Sequence, residues 1–178
     1  MGRVLMRAIQ AAGLSDLAER ALGGAGLPAS DLERLRKTDL LLVAGLADLV
    51  RERFRGDEVR IVTTSAAREP GVALVEPSAG EREKLTGAEL LVEIALVRLR
   101  TPGDRSVGVS FDTLGLELAQ TALLFGADVL FGDLGGKRTL PLLDGPEKRK
   151  QELSGLITRA GRSPRFVEAT VSGAEQRS

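Results

Sequence analysis

Cysteine and histidine are both missing from this chain. Without cysteine there is no disulfide, no thiol nucleophile and no thiolate ligand for a metal cluster. Without histidine the chain loses the commonest metal ligand and the usual general base near neutral pH. Tryptophan and tyrosine are also absent and only 5 phenylalanines occur, so there is little aromatic surface on which bases could stack. Charge of either sign is not in excess: Lys+Arg and Asp+Glu each total 25. That balance offers no overall attraction to nucleic acid or to an anionic membrane. No apolar run approaches the roughly 18 residues a membrane helix needs. The start, MGRVLMRAIQAAGLSDLAER, lacks the unbroken apolar core of a signal peptide and the Ser or Thr of a myristoylation signal. The expected location is cytoplasmic, with no nucleic-acid or membrane partner.

What is present describes a globular protein. Hydrophobic residues make up 43% and charged residues 28% of 178 residues, enough for one domain with a buried core. Apolar residues at helical spacing predict helix over 3–22, broken near Gly13, and a capping box of Ser30 and Glu33 predicts another helix start. TDLLLVAGLADLVRERF at 38–54 reads as a long buried helix ended by Gly56. EVRIVTT (58–64), VALVEP (72–77), SVGVSF (106–111), ADVLFGDL (127–134) and PRFVEATV (164–171) read as strands. Helices are expected over 86–100, 114–125 and 147–160. The mixed-sign segments RERFRGDEVR and EKRKQ read as solvated helix faces. The alternation is an α/β pattern. It divides into a helical segment over 1–57, an α/β core over 58–171 and a frayed tail over 172–178.

Three stretches carry a resemblance. They are AAGLSDLAERALGGAGLPASDLERLRKTDLLLVAGLADLVRERFRGDEVRIV at 11–62, TGAELLVEIALVRLRTPGDRSVGVSFDTLGLELAQTALLFGADVLFGDL at 86–134, and EKRKQELSGLITRAGRSPRFVE at 147–168. In this order they resemble aminofutalosine synthase, a radical-SAM enzyme of the futalosine route to menaquinone. The likeness lies in the N-terminal helices leading to the first barrel strand, the LGLKLAQ-type helix with its FGAD-type strand, and the closing helix with its AGR-x-P turn. The resemblance implies a (β/α) barrel, a [4Fe–4S] cluster on a CxxxCxxC loop, and SAM. Here the first strand runs instead into SAAREPG at 65–71, and most of the middle barrel is absent. In the family's FGADDLDG-type strand end, Asp128 is retained, while Val129 and Phe131 stand where acidic residues are expected. The fold expectation is therefore an open, partial barrel-like sheet of about five mostly parallel strands with an N-terminal helical extension. Such a sheet exposes edges that call for a protein partner.

Candidate site residues follow from strand ends, where α/β folds place ligands. Asp112, Asp128 and Asp133 could hold a metal or act as acid and base; equally, Asp112 could cap a helix and Asp133 belong to a turn. GDLGGKRT at 132–139 offers an anion cradle of Gly132, Gly135 and Gly136 beside Lys137 and Arg138, without P-loop spacing; a plain surface loop reads the same way. Thr63, Thr64 and Ser65, with Arg68 and Glu69, occupy the place of the family's cluster loop, but no base is at hand to activate a hydroxyl. The expectation is a non-catalytic relative with no iron–sulfur cofactor, acting with itself or with a full-length radical-SAM enzyme. The alternative is a nucleoside- or phosphate-binding module using Asp128, Asp133, Gly135, Gly136, Lys137 and Arg138 at the strand C-terminal ends.

Overall fold

The computed structural model describes residues 2–63, 71–82, 84–134 and 146–167. Four helices come first: α1 (Gly2–Ala11), α2 (Ser15–Leu22), α3 (Ala29–Arg36) and α4 (Leu40–Arg55). Gly13, at φ +69°, makes the expected break between α1 and α2. The Ser30–Glu33 capping box does not form. Helix α3 begins two residues earlier behind Pro28, whose fixed φ suits a helix entry, and no side chain caps it. Asp39 caps α4 by accepting from the Leu41 N–H, and Gly56 ends that helix at φ +65°.

The rest alternates strands and helices: β1 (Glu58–Val62), β2 (Val72–Val75), α5 (Ala79–Arg82), α6 (Gly87–Arg100), β3 (Ser106–Ser110), α7 (Phe111–Leu114), α8 (Leu116–Ala122), β4 (Val129–Phe131), α9 (Pro146–Arg159) and β5 (Ser163–Val167). The helix expected over 114–125 is three pieces. A first turn, α7, is capped by Ser110, Gly115 interrupts, and a 3-10 turn over Leu123–Phe125 ends in left-handed Gly126. Helix α6 carries a true capping box, with Thr86 and Glu89 bonding each other's backbone N–H. The short α5 was not foreseen. The strands expected over 58–64 and 164–171 extend into 64 and 168–171, which lie outside the described residues, as does the 172–178 tail.

All five strands are parallel, in the order β2-β3-β4-β1-β5. Strands β2, β3 and β4 follow one another across the sheet through α6 and α7–α8. Helix α9 then carries the chain past β1 to β5. Helices α6 and α8 lie on β3, α9 lies on β5, and α4 packs on α6. Strand alternation sends Val59, Ile61, Val109 and Leu130 into this helix-covered core, with Leu17, Leu46, Ile94 and Leu99. The opposite face gathers Val62, Val129 and Phe131 against Val72 and Leu74. There the Phe131 ring lies over Gly108, where a Cβ would collide with it.

Candidate functional site

The C-terminal end of the sheet brings together the segments that follow β1, β3 and β4. Thr63 is half-buried beyond β1. Beyond β3, the Ser110 hydroxyl accepts from the Thr113 N–H at 3.2 Å and starts α7 at once. This turn throws Asp112 across to β4, where its Oδ2 accepts from the Asp133 N–H at 2.7 Å. The Phe111 ring beneath packs against the Gly132 backbone so closely that any Cβ there would overlap it. Arg149, from the first turns of α9, donates to the Leu134 carbonyl. Arg82 donates to the Thr113 carbonyl at 2.8 Å.

Asp112 and Asp133 are thus neighbours, and both are exposed. Asp112 acts neither as helix cap nor as isolated ligand; its carboxylate fastens the end of β3 to the end of β4. Two acidic side chains with an arginine at hand can hold a polar or cationic group, and no group of three metal-ligating side chains occurs among the described residues. Gly135, Gly136, Lys137 and Arg138 lie outside the described residues, as do Thr64, Ser65, Arg68 and Glu69.

Asp128 does not belong to this site. It precedes β4, at the N-terminal end of the sheet, so five positions of extended chain, roughly 16 Å, separate it from Asp133. It is 2% exposed. Its Oδ1 accepts from the Val107 N–H at 2.6 Å, its Oδ2 from Arg55 Nε at 3.0 Å, and Arg98 Nη1 stands 3.7 Å away. Its own N–H donates to the Val107 carbonyl and its carbonyl accepts from Arg60 N–H, so it stitches β3 to β1 across the start of β4.

The side chains around it are arginines. Arg98 is fully buried, donating to the Arg105 carbonyl at 2.6 Å and the Pro102 carbonyl at 3.4 Å. Burial pulls its pKa below the usual guanidinium value; Asp128 opposes that shift, and Arg55 and Arg51 add to it. Arg51 is also fully buried; its Nε donates to Asp48 at 2.8 Å and it reaches the Gly56 carbonyl. Arg162, ahead of β5, holds both Asp48 oxygens at 2.6 and 2.8 Å. The cluster ties α4, α6, β4 and the entry to β5 together at the N-terminal end of the sheet. In barrel folds that end serves stability.

The expectation that RERFRGDEVR and EKRKQ form solvated faces holds for Glu52, Arg53, Asp57, Glu58, Glu147, Lys148 and Gln151, which are exposed, and fails at four arginines. Arg51 is buried, Arg55 pairs with a buried carboxylate, Arg60 donates to the Ser106 hydroxyl at 3.0 Å, and Arg149 reaches across to Leu134. The sequence held a signal for two of the arginines. Arg98 follows Leu91, Ile94 and Ala95 at helical spacing, and Arg51 follows Ala44 and Ala47. A cation on an apolar stripe demands an anion beside it, and buried Asp128 and partly buried Asp48 supply it.

Comparison of the chain with protein-family models, with curated proteins and with solved structures finds no match to any of them.

Proposed function

We propose that this chain is a non-catalytic relative of radical-SAM barrel enzymes of the aminofutalosine synthase kind. In this reading it acts by binding a protein, itself or a full-length enzyme of the menaquinone route. The observation that carries the reading is strand order. Strands β2, β3 and β4 step one place at a time in one direction, and the first strand then pairs in parallel with β4. A (β/α)8 barrel likewise brings its first strand beside a late one; here β5 takes the other side of β1 and the sheet stays open at β2 and β5. A doubly wound sheet instead lays helices on both faces, whereas the α6, α8 and α9 crossovers here share one face. The likeness covers the N-terminal helices, β1 and the late barrel, with β5 on the free side of β1.

The donor set does not fit the family's cluster. No cysteine exists in the chain to supply thiolates, so no radical step is assigned to it. At the strand end where the family places acidic groups, Val129 and Phe131 are buried in apolar contacts. Interaction is then the use left for a fold whose packing elements are kept. The test is calorimetry of the purified chain against a purified full-length aminofutalosine synthase from the same cells. Saturable binding at a fixed ratio is expected. Absence of heat, together with absence of self-association, overturns the reading.

A second reading is favoured by the Asp112–Asp133 junction with Arg149 beside it. It makes the C-terminal end of the sheet a binding site for a nucleoside, whose hydroxyls can donate to the two carboxylates. Titration with SAM and adenosine tests it, and no heat from either of them ends it.

A further inference from the structure

The two outer strands of the sheet are built differently. Strand β5, SPRFV, carries Pro164 and Arg165, the proline and charge with which proteins blunt a sheet edge. Strand β2, VALV, carries neither; it is apolar throughout and every residue is half-buried, while β3 beside it is buried along its whole length. The Ser106 N–H donates to the Gly71 carbonyl, so Gly71, Ala73 and Val75 turn their backbone groups to β3. Strand alternation then aims the N–H and C=O of Val72 and Leu74 at the outer edge, where no described strand pairs with them.

Along that edge runs a groove of about 300 Å³ between β2 and α6, floored by apolar Leu85, Leu90 and Val97. Of its four charged residues, Glu81 is held by Ser78 and Glu93 is paired with Arg36, which leaves Glu76 and Arg100 to face a partner. Glu76 follows the last residue of β2. Arg100 is the last residue of α6, which leads through a short turn to Ser106, the partner of Val72. The acidic end and the basic end are thus about 13 Å apart along the strand, at 3.3 Å per residue.

We propose that β2 pairs antiparallel with β2 of a second copy of this chain, about a two-fold axis passing at Leu74, so that Leu74 faces Leu74 and Val72 faces Glu76 of the other copy. An isologous contact must be self-complementary, and this edge is. The axis carries the Glu76 end of each copy onto the Arg100 end of the other, joins two five-stranded sheets into one, and satisfies the outward groups of Val72 and Leu74. The inference deepens the interaction reading by naming the partner, and rests on that reading only for its purpose; the edge argument stands on β2 itself.

Sedimentation of the full chain tests it. The wild type should run as a dimer. Arg100→Glu and Glu76→Arg each set like charges together at both ends of the contact and should weaken the dimer at least about tenfold. The double variant R100E/E76R restores opposite charges and should recover the dimer. Val72→Pro removes an outward N–H at the first position of an edge strand, where proline is tolerated, and should give a folded monomer by circular dichroism. A monomeric wild type, a dimeric V72P, or a double variant as weak as either single overturns the proposal. A monomeric wild type that still binds the full-length enzyme would leave the interaction reading standing and remove this partner alone.

Discussion

Replacing Asp128 with asparagine should unfold much of this protein's margin of stability. Asparagine keeps an oxygen for the Val107 N–H, which now lies 2.6 Å from the carboxylate. It removes the negative charge that stands beside Arg98 among the described residues, a guanidinium that is fully buried and already has Arg55 and Arg51 as neighbours. Breaking a buried pair from one side costs about 3–5 kcal/mol, because the remaining charge is left uncompensated. Solvent reaches Arg55, which lowers the figure to about 3 kcal/mol. In a domain of this size each kcal/mol moves the thermal midpoint by about 2–4 °C, so a fall of roughly 6–12 °C is expected. The assay is urea and thermal unfolding of wild type, D128N, R98M and D128N/R98M. The double variant should recover most of the loss, since an apolar pair of similar volume is often neutral in place of a buried ion pair. A D128N midpoint within about 2 °C of wild type, or a double variant no better than the single, would refute the assignment of Asp128 to stability.

The capping box of α6 makes a second prediction: Thr86→Ala should cost about 1 kcal/mol in urea unfolding. Its Glu89 carboxylate is held below the usual range by the Thr86 backbone N–H and hydroxyl, and Glu81 likewise by the Ser78 hydroxyl and backbone N–H. Their contribution is therefore full above the unfolded-chain value near ~4.3 and fades as pH falls through the lower folded values. The stability gap between wild type and E89A, measured from pH 7 to pH 3, should narrow below about pH 4.3. Gly108→Ala should lose about 1–3 kcal/mol by forcing the Phe131 ring and Val72 apart, with partial recovery in G108A/F131L. Asp112→Ala, at an exposed junction, should shift unfolding by less than about 1 kcal/mol. A larger loss would mean that the link to Asp133 holds the strand ends together more firmly than its exposure suggests.

Local chemistry made much of the fold legible. EVRIV forms a strand because β-branched residues alternate across it, and Gly56, Gly126 and Gly161 end helices at positive φ. The placing of β1 between β4 and β5 was not legible, because parallel pairing joins residues far apart in sequence and leaves no local trace. Asp128 misled for a related reason. ADVLFGDL is apolar enough to be strand throughout, but only the pairing of β4 with β1 and β3 fixes the strand as Val129–Phe131 and leaves Asp128 ahead of it. Ser30 failed as a cap because Pro28 had already set the helix entry. The Asp112–Asp133 contact joins two loops that only the β3–β4 register brings side by side. The buried arginines were readable from their helical spacing and were hidden by the mixed charge around them.

The most direct test of the proposed partner binding is native mass spectrometry of the tagged chain drawn gently from its own cells. The account predicts assemblies of whole-number stoichiometry: two copies of the 18.9 kDa chain, or this chain in fixed ratio with a cysteine-bearing radical-SAM enzyme. A single 18.9 kDa species with no companion would contradict it.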